Sequence, residues 1–124
     1  MDWRQLEIFK GIDLNDSFVL DWNYENNCVR FELDTSIWPD SKYYVEPKPN
    51  EYTCYRKAIL QFVNTVAVSG LKPKSAVMSS TDPDGSIDYG NIHTLQVVDG
   101  GFELTGDFGN IKISGGELRF EIHT

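Results

Sequence analysis

The residues of this chain best suited to chemistry are acidic. Asp82-x-Asp84-Gly85-x-x-Asp88 sets carboxylates at alternate positions around a glycine turn, the pattern by which a loop wraps oxygen ligands round a calcium ion. With Gly85 in the sixth place of a twelve-residue loop, Asp82 and Asp84 take the third and fifth places and Asp88 the ninth. Ser80 then stands first, where an anion is wanted, and Asn91 stands last, where a bidentate Glu is required. The flanks do not read as helices either. An acidic hairpin turn accounts for the motif without a metal, because Asp82-Pro83-Asp84-Gly85 has Pro second and Gly fourth, as a type I turn prefers.

The other reactive side chains are scattered. His93 and His123 are the only histidines, each in a strand-like run and neither in a ligand spacing such as His-x-x-x-His. Cys28 and Cys54 lie in no nucleophile motif and open no helix that would stabilise a thiolate. Acid pairs such as Asp13 with Asp16, or Asp99 with Asp107, are to be expected by accident among nineteen carboxylates. Gly106 and Gly109 are not followed by the lysine and hydroxyl residue of a phosphate loop. No catalytic set and no cofactor is therefore expected. One alternative stays open: a small hydrolase or metal-dependent enzyme built on His93 and the aspartates.

Residues 36–51 hold a different kind of chemistry. Pro39, Pro47 and Pro49 forbid a regular helix or central strand there. Trp38, Tyr43 and Tyr44 sit among those prolines, and Trp and Tyr are the residues that dominate protein interfaces. The segment reads either as an anchor for a partner or as a plug over an open end of the core. The expected partner-binding set is Trp38, Tyr43 and Tyr44, rimmed by the charges of Asp82, Asp84 and Asp88.

The elements around these segments are mostly strands. In residues 17–35, Phe18, Leu20 and Trp22 alternate with polar positions, Glu25-Asn26-Asn27 supplies turn residues, and Val29, Phe31 and Leu33 alternate again, which predicts a hairpin. Residues 52–69 fit a helix or a strand, and the β-branched run Val63, Thr65, Val66, Val68 favours a long strand. From Ile92 onward, short alternating runs are cut by Gly100-Gly101, Gly106-Asp107 and Gly115-Gly116, the pattern of a meander with one wet face. Residues 2–10 read as a short helix, with Asp2 as cap, Gln5 completing a capping box, and Trp3, Leu6 and Phe9 on one face. The fold class expected is mainly β: an antiparallel meander of about seven to nine strands, making a half-open sandwich or curled sheet, plus one short N-terminal helix (α+β). Phe18, Leu20, Trp22, Phe31, Leu33, Leu118, Phe120 and Ile122 are its expected core.

At 124 residues the chain makes one domain, large enough to hold a core without disulfide or metal. Its net charge of −8 argues against a phosphate-binding surface and permits a basic protein partner. No run is long enough to span a membrane, and Met1-Asp2-Trp3-Arg4 does not open a signal peptide, so a cytoplasmic protein with reduced thiols is expected.

Leu14 through Leu20, Arg56 through Val68, and Leu104 through Ile113 with Gly106-Asp107-Phe108-Gly109 inside it carry a resemblance. In their order they resemble segments of small bacterial proteins of unknown function, including immunity proteins of polymorphic toxin systems; Asn15 stands where such proteins often have His. The resemblance implies a compact domain that binds a partner and performs no chemistry. The function expected is a non-catalytic protein-binding domain, of the immunity-inhibitor kind. A homodimer that uses the aromatic residues for self-association is the remaining alternative.

Overall fold

The structure, a computed structural model, describes residues 1–46, 49, 54–81, 85 and 87–123. Eight strands follow one another among these: β1 (Ile12–Glu25), β2 (Cys28–Ile37), β3 (Cys54–Leu71), β4 (Ser80–Thr81), β5 (Ile87–Asp88), β6 (Ile92–Val98), β7 (Gly101–Gly106) and β8 (Gly109–Ile122). Six make one antiparallel sheet in the order β1-β2-β3-β8-β7-β6, while β4 and β5 pair only with each other. The sheet curls into a half-barrel whose outer strands approach along a seam. There Val19 donates its N–H to the Gly90 carbonyl at 2.8 Å, and Tyr89 donates to the Val19 carbonyl at 2.8 Å. Asn15 sends its side-chain amide to the carbonyls of Ile92 and His93, at 2.9 and 2.8 Å. Farther along, the Val97 N–H meets the Met1 carbonyl at 2.7 Å.

Local chemistry explains most of these elements. Asn26 and Asn27 both take positive φ, 52° and 58°, which matches the turn geometry that joins strands of natural twist. The region that fitted either helix or strand is strand from Cys54 onward, and Asn64 within it takes φ 57°. Such a conformation bends a strand, and it lets β3 serve β2 with its first half and β8 along nearly its whole length.

Three expectations need correcting. First, residues 2–10 form no α-helix but two single 3-10 turns, Trp3–Gln5 and Glu7–Phe9, separated by the extended Leu6. The capping box exists: Gln5 accepts from the Asp2 N–H at 3.0 Å, and the Asp2 carboxylate takes the Arg4 N–H at 3.0 Å. That backbone bond, helped by the Arg4 side chain, holds the Asp2 carboxyl below the usual carboxylate range. The helix does not propagate because Trp3, Leu6 and Phe9 recur every three residues, the period of a 3-10 turn rather than of an α-helix.

Second, the inner face of β1 is not the expected one. Pairing slips between Asp13 and Phe18 and again between Val19 and Asp21. Each slip exchanges inward and outward sides. Val19 is buried in consequence, while Phe18 and Leu20 are only half-buried; Trp22, Phe31 and Leu33 are buried as expected.

Third, Gly115-Gly116 is no turn between strands but an irregularity inside the single strand β8, with φ 68° and 89°. Ile111 and Ile113, before it, are buried. Leu118, Phe120 and Ile122, after it, are half-buried and pack against the core rather than filling it.

Aromatic rings fill the interior. Phe31 meets Phe108 with 4.9 Å between centroids, Phe62 meets Phe102 at 5.0 Å, and Trp22 meets Phe108 at 6.2 Å. These tilted contacts are the geometry that ring quadrupoles prefer, and each ring removes some 150–250 Å² from water. The interior is occupied by the protein's own side chains, so binding surfaces are to be sought outside it.

Candidate functional site

The aromatic segment is built onto the end of the half-barrel where β1 begins. Ile37, the last residue of β2, pairs with Ile12. Trp38 continues that contact by donating its N–H to the Gly11 carbonyl at 2.8 Å. Two tight turns follow: Ser41 donates to the Trp38 carbonyl at 3.0 Å, and Tyr44 donates to the Ser41 carbonyl at 3.1 Å. The Ser41 hydroxyl also accepts from the Tyr43 N–H at 3.2 Å. Gly11 makes the approach possible. It takes φ +74°, and a Cβ there would stand 2.6 Å from the Cβ of Ser41.

These turns separate the fates of the three aromatics. Tyr43 and Tyr44 are half-buried and pack against the core, with the Lys42 ammonium 5.1 Å from the centre of the Tyr43 ring. Trp38 remains 43% exposed. The turns that follow it border a groove of about 540 Å³, which Trp38 does not line and whose apolar walls are Ile8, Tyr43, Phe120 and Ile122. A second depression, of about 440 Å³, touches Trp3, Leu6, Phe9 and Trp38. Glu7, Lys10 and Asp40 border both. The result is apolar side chains interspersed with charges of both signs.

Of the expected charged rim, only Asp88 is placed. Asp82 and Asp84 lie outside the described residues. Asp88 belongs to β5 and turns its carboxylate onto the Gly90 N–H at 3.1 Å, supporting the seam opposite Val19. Trp38 stands beside Ile12, seven residues earlier in β1, which is up to about 23 Å of strand. Asp40, Glu7 and Glu121 supply the acids nearest the aromatic groove instead.

Neither histidine lines that groove. His93 Nε2 is 4.0 Å from Asp107 Oδ1, beyond hydrogen-bond reach, with side chains 59% and 51% exposed. His123 stands 3.9 Å from Glu121 on open surface. Cys54, on β3, is buried beside Ile37 at the last residue of β2, whereas Cys28, the first residue of β2, donates weakly to the Gln61 side chain at 3.5 Å. Among the described residues, no three His, Cys, Asp or Glu side chains converge as metal ligands. None of the helical turns described is long and apolar enough to cross a membrane.

The groove's walls were partly invisible in the sequence. Ile8 and Phe120 are 112 residues apart, and only the packing of Phe120 on Phe9, 5.0 Å between centroids, brings them together. The structure is thus a curled antiparallel half-barrel with an exposed tryptophan at one end. No family model, curated protein or solved structure matches the chain.

Proposed function

We propose that this chain is a non-catalytic protein-binding domain, acting as an immunity-type inhibitor of a partner enzyme, with Trp38 as its central anchor. The observation that carries the reading is the state of Trp38 itself. Trp38, 43% exposed, is held on hydrogen-bonded turns in the wall of the depression it forms with Trp3, Leu6 and Phe9, although the interior nearby is built from buried aromatics. Large aromatics are usually covered, and one presented on a rigid base loses little side-chain freedom when a partner covers it. Tyr43 and Tyr44, half-buried against the core, follow Trp38 in the same turns. The net charge of −8 suits a basic partner such as a nuclease, which long-range attraction would guide to the surface. Asp82, Asp84 and Asp88 belong to that general field and need not touch the indole.

The test uses the purified chain and the product of a toxin-like reading frame next to its gene. Binding is measured by calorimetry and inhibition by the toxin's own activity. Trp38→Ala is expected to weaken binding by about 2 kcal/mol or more, roughly thirtyfold, with an unchanged melting temperature. Tyr43→Ala should weaken it less. Full inhibition by a folded Trp38→Ala variant would sink the assignment of the anchor. A wild-type chain that binds no such product and leaves its activity untouched would sink the functional reading.

A further inference from the structure

β3 outruns one of its neighbours. β2 pairs with it from Cys54 to Phe62, and the last bond on that side runs from the Thr65 N–H to the Asn27 carbonyl, 3.0 Å. β8 accompanies the other side as far as Leu71. From Val66 to Leu71, one edge of β3 therefore has no strand beside it among the described residues. Such an edge presents backbone N–H and C=O groups that another strand completes, and proteins ordinarily guard it with charge or proline. The far end of β1 has a similar one-sided stretch, Asp21–Glu25, and it is guarded: it carries Asp21 and Glu25, and Lys74 is bonded to the Asp21 carboxylate.

The β3 edge has no such guard. Ala58 through Leu71 is a run of fourteen residues without a charge, in a chain of which 24% are Asp, Glu, Lys or Arg. Val66 is 81% exposed, and Ala67 and Ser69 are exposed too. The pairing irregularities at Thr65/Ala67 and Ser69/Leu71 bound this edge; between them Ala67, Val68 and Ser69 pair regularly with Ser114, Ile113 and Lys112. Val68 is half-buried against the core, so the strand rests on a firm base.

We propose that this edge joins β3 of a second copy, antiparallel, about a two-fold axis between Ala67 and Val68. Two copies that each carry −8 repel one another, and the longest charge-free strip is where they meet at least cost. In that register Val66 faces the partner's Ser69 and Ala67 faces the partner's Val68. The two open edges overlap over residues 66–69, all uncharged, so no like charges are opposed in the ladder. Assembly stops at two. The β6 edge is met by Met1, and the first part of β1 is met by Tyr89 and Gly90, so neither offers another strand-addition site. The contact is separate from the Trp38 groove and leaves it open.

Sedimentation of the wild-type chain over a wide concentration range tests the idea, together with amide exchange. The mass should move from one chain to two, and the amides of residues 66–69 should gain protection as it does. Val66→Lys with Ser69→Lys opposes ammonium groups across the axis and should weaken self-association about tenfold or more. The matching Val66→Glu, Ser69→Glu chain should restore a dimer when mixed with it, which keeps the test valid if either variant melts lower. Trp38→Ala should dimerise like wild type. A wild-type chain that stays single throughout, a lysine variant that dimerises undiminished, or a dimer abolished by Trp38→Ala would each overturn the proposal.

Discussion

Single residues carry unequal burdens in this half-barrel. Thr35 is wholly buried on β2 with a hydroxyl that finds no hydrogen-bond partner among the described residues, and the Trp3 indole N–H is in the same state. A buried polar group left unpaired costs its desolvation without return. Thr35→Val keeps the shape and removes the polar atom, so it should stabilise the fold by about 1 kcal/mol in urea unfolding. A loss of stability would mean that the hydroxyl is satisfied in solution. Lys74 presents the opposite case. Its bond to Asp21 holds its amine above the ordinary lysine range. A raised amine contributes stability below its usual titration and loses it as pH rises through the folded value. Both groups are largely exposed, so that contribution is small.

At the scale of elements, pairing geometry decided what sequence pattern could reveal. The β1–β2 hairpin was legible because Asn26 and Asn27 are turn residues whatever surrounds them. The strand character of β3 was legible from its β-branched run. The inner face of β1 was not, since alternation alone cannot locate a slip in register, and two slips put Val19 where Phe18 was expected. The N-terminal turns were misread through a period of three mistaken for a helical stripe. The Trp38 segment stood out by composition, whereas Ile8 and Phe120 joined its groove only through tertiary packing. Close backbone approach is likewise unreadable from one strand. Gly70 takes φ +88°, and a Cβ there would collide with the Asn110 carbonyl. Gly70→Ala should therefore cost about 2 kcal/mol or more by thermal melting, from backbone strain and collision together. A neutral result would show that the β3–β8 pair yields there more easily than its geometry implies.

The whole molecule is held closed by partners far apart in the chain. β3 and β8 form the long central pair, but the seam joins Val19 to residues 89 and 90, and Val97 to Met1. Contacts of such long sequence separation are slow to form, because the intervening chain must be ordered before they return any stability. They are also short, a few bonds at Val19, Asn15 and Val97 rather than a full ladder. The seam therefore acts as the fold's latch, last to shut and first to spring. Native-state hydrogen exchange should find the Val19, Tyr89 and Val97 amides opening at lower free energy than those of Leu60 and Phe62 at the centre of β3. If all exchange together, the half-barrel opens only by unfolding completely. If the latch opens alone, the molecule has a second shape within thermal reach, with the β6 edge bare and the aromatic interior briefly accessible from the side.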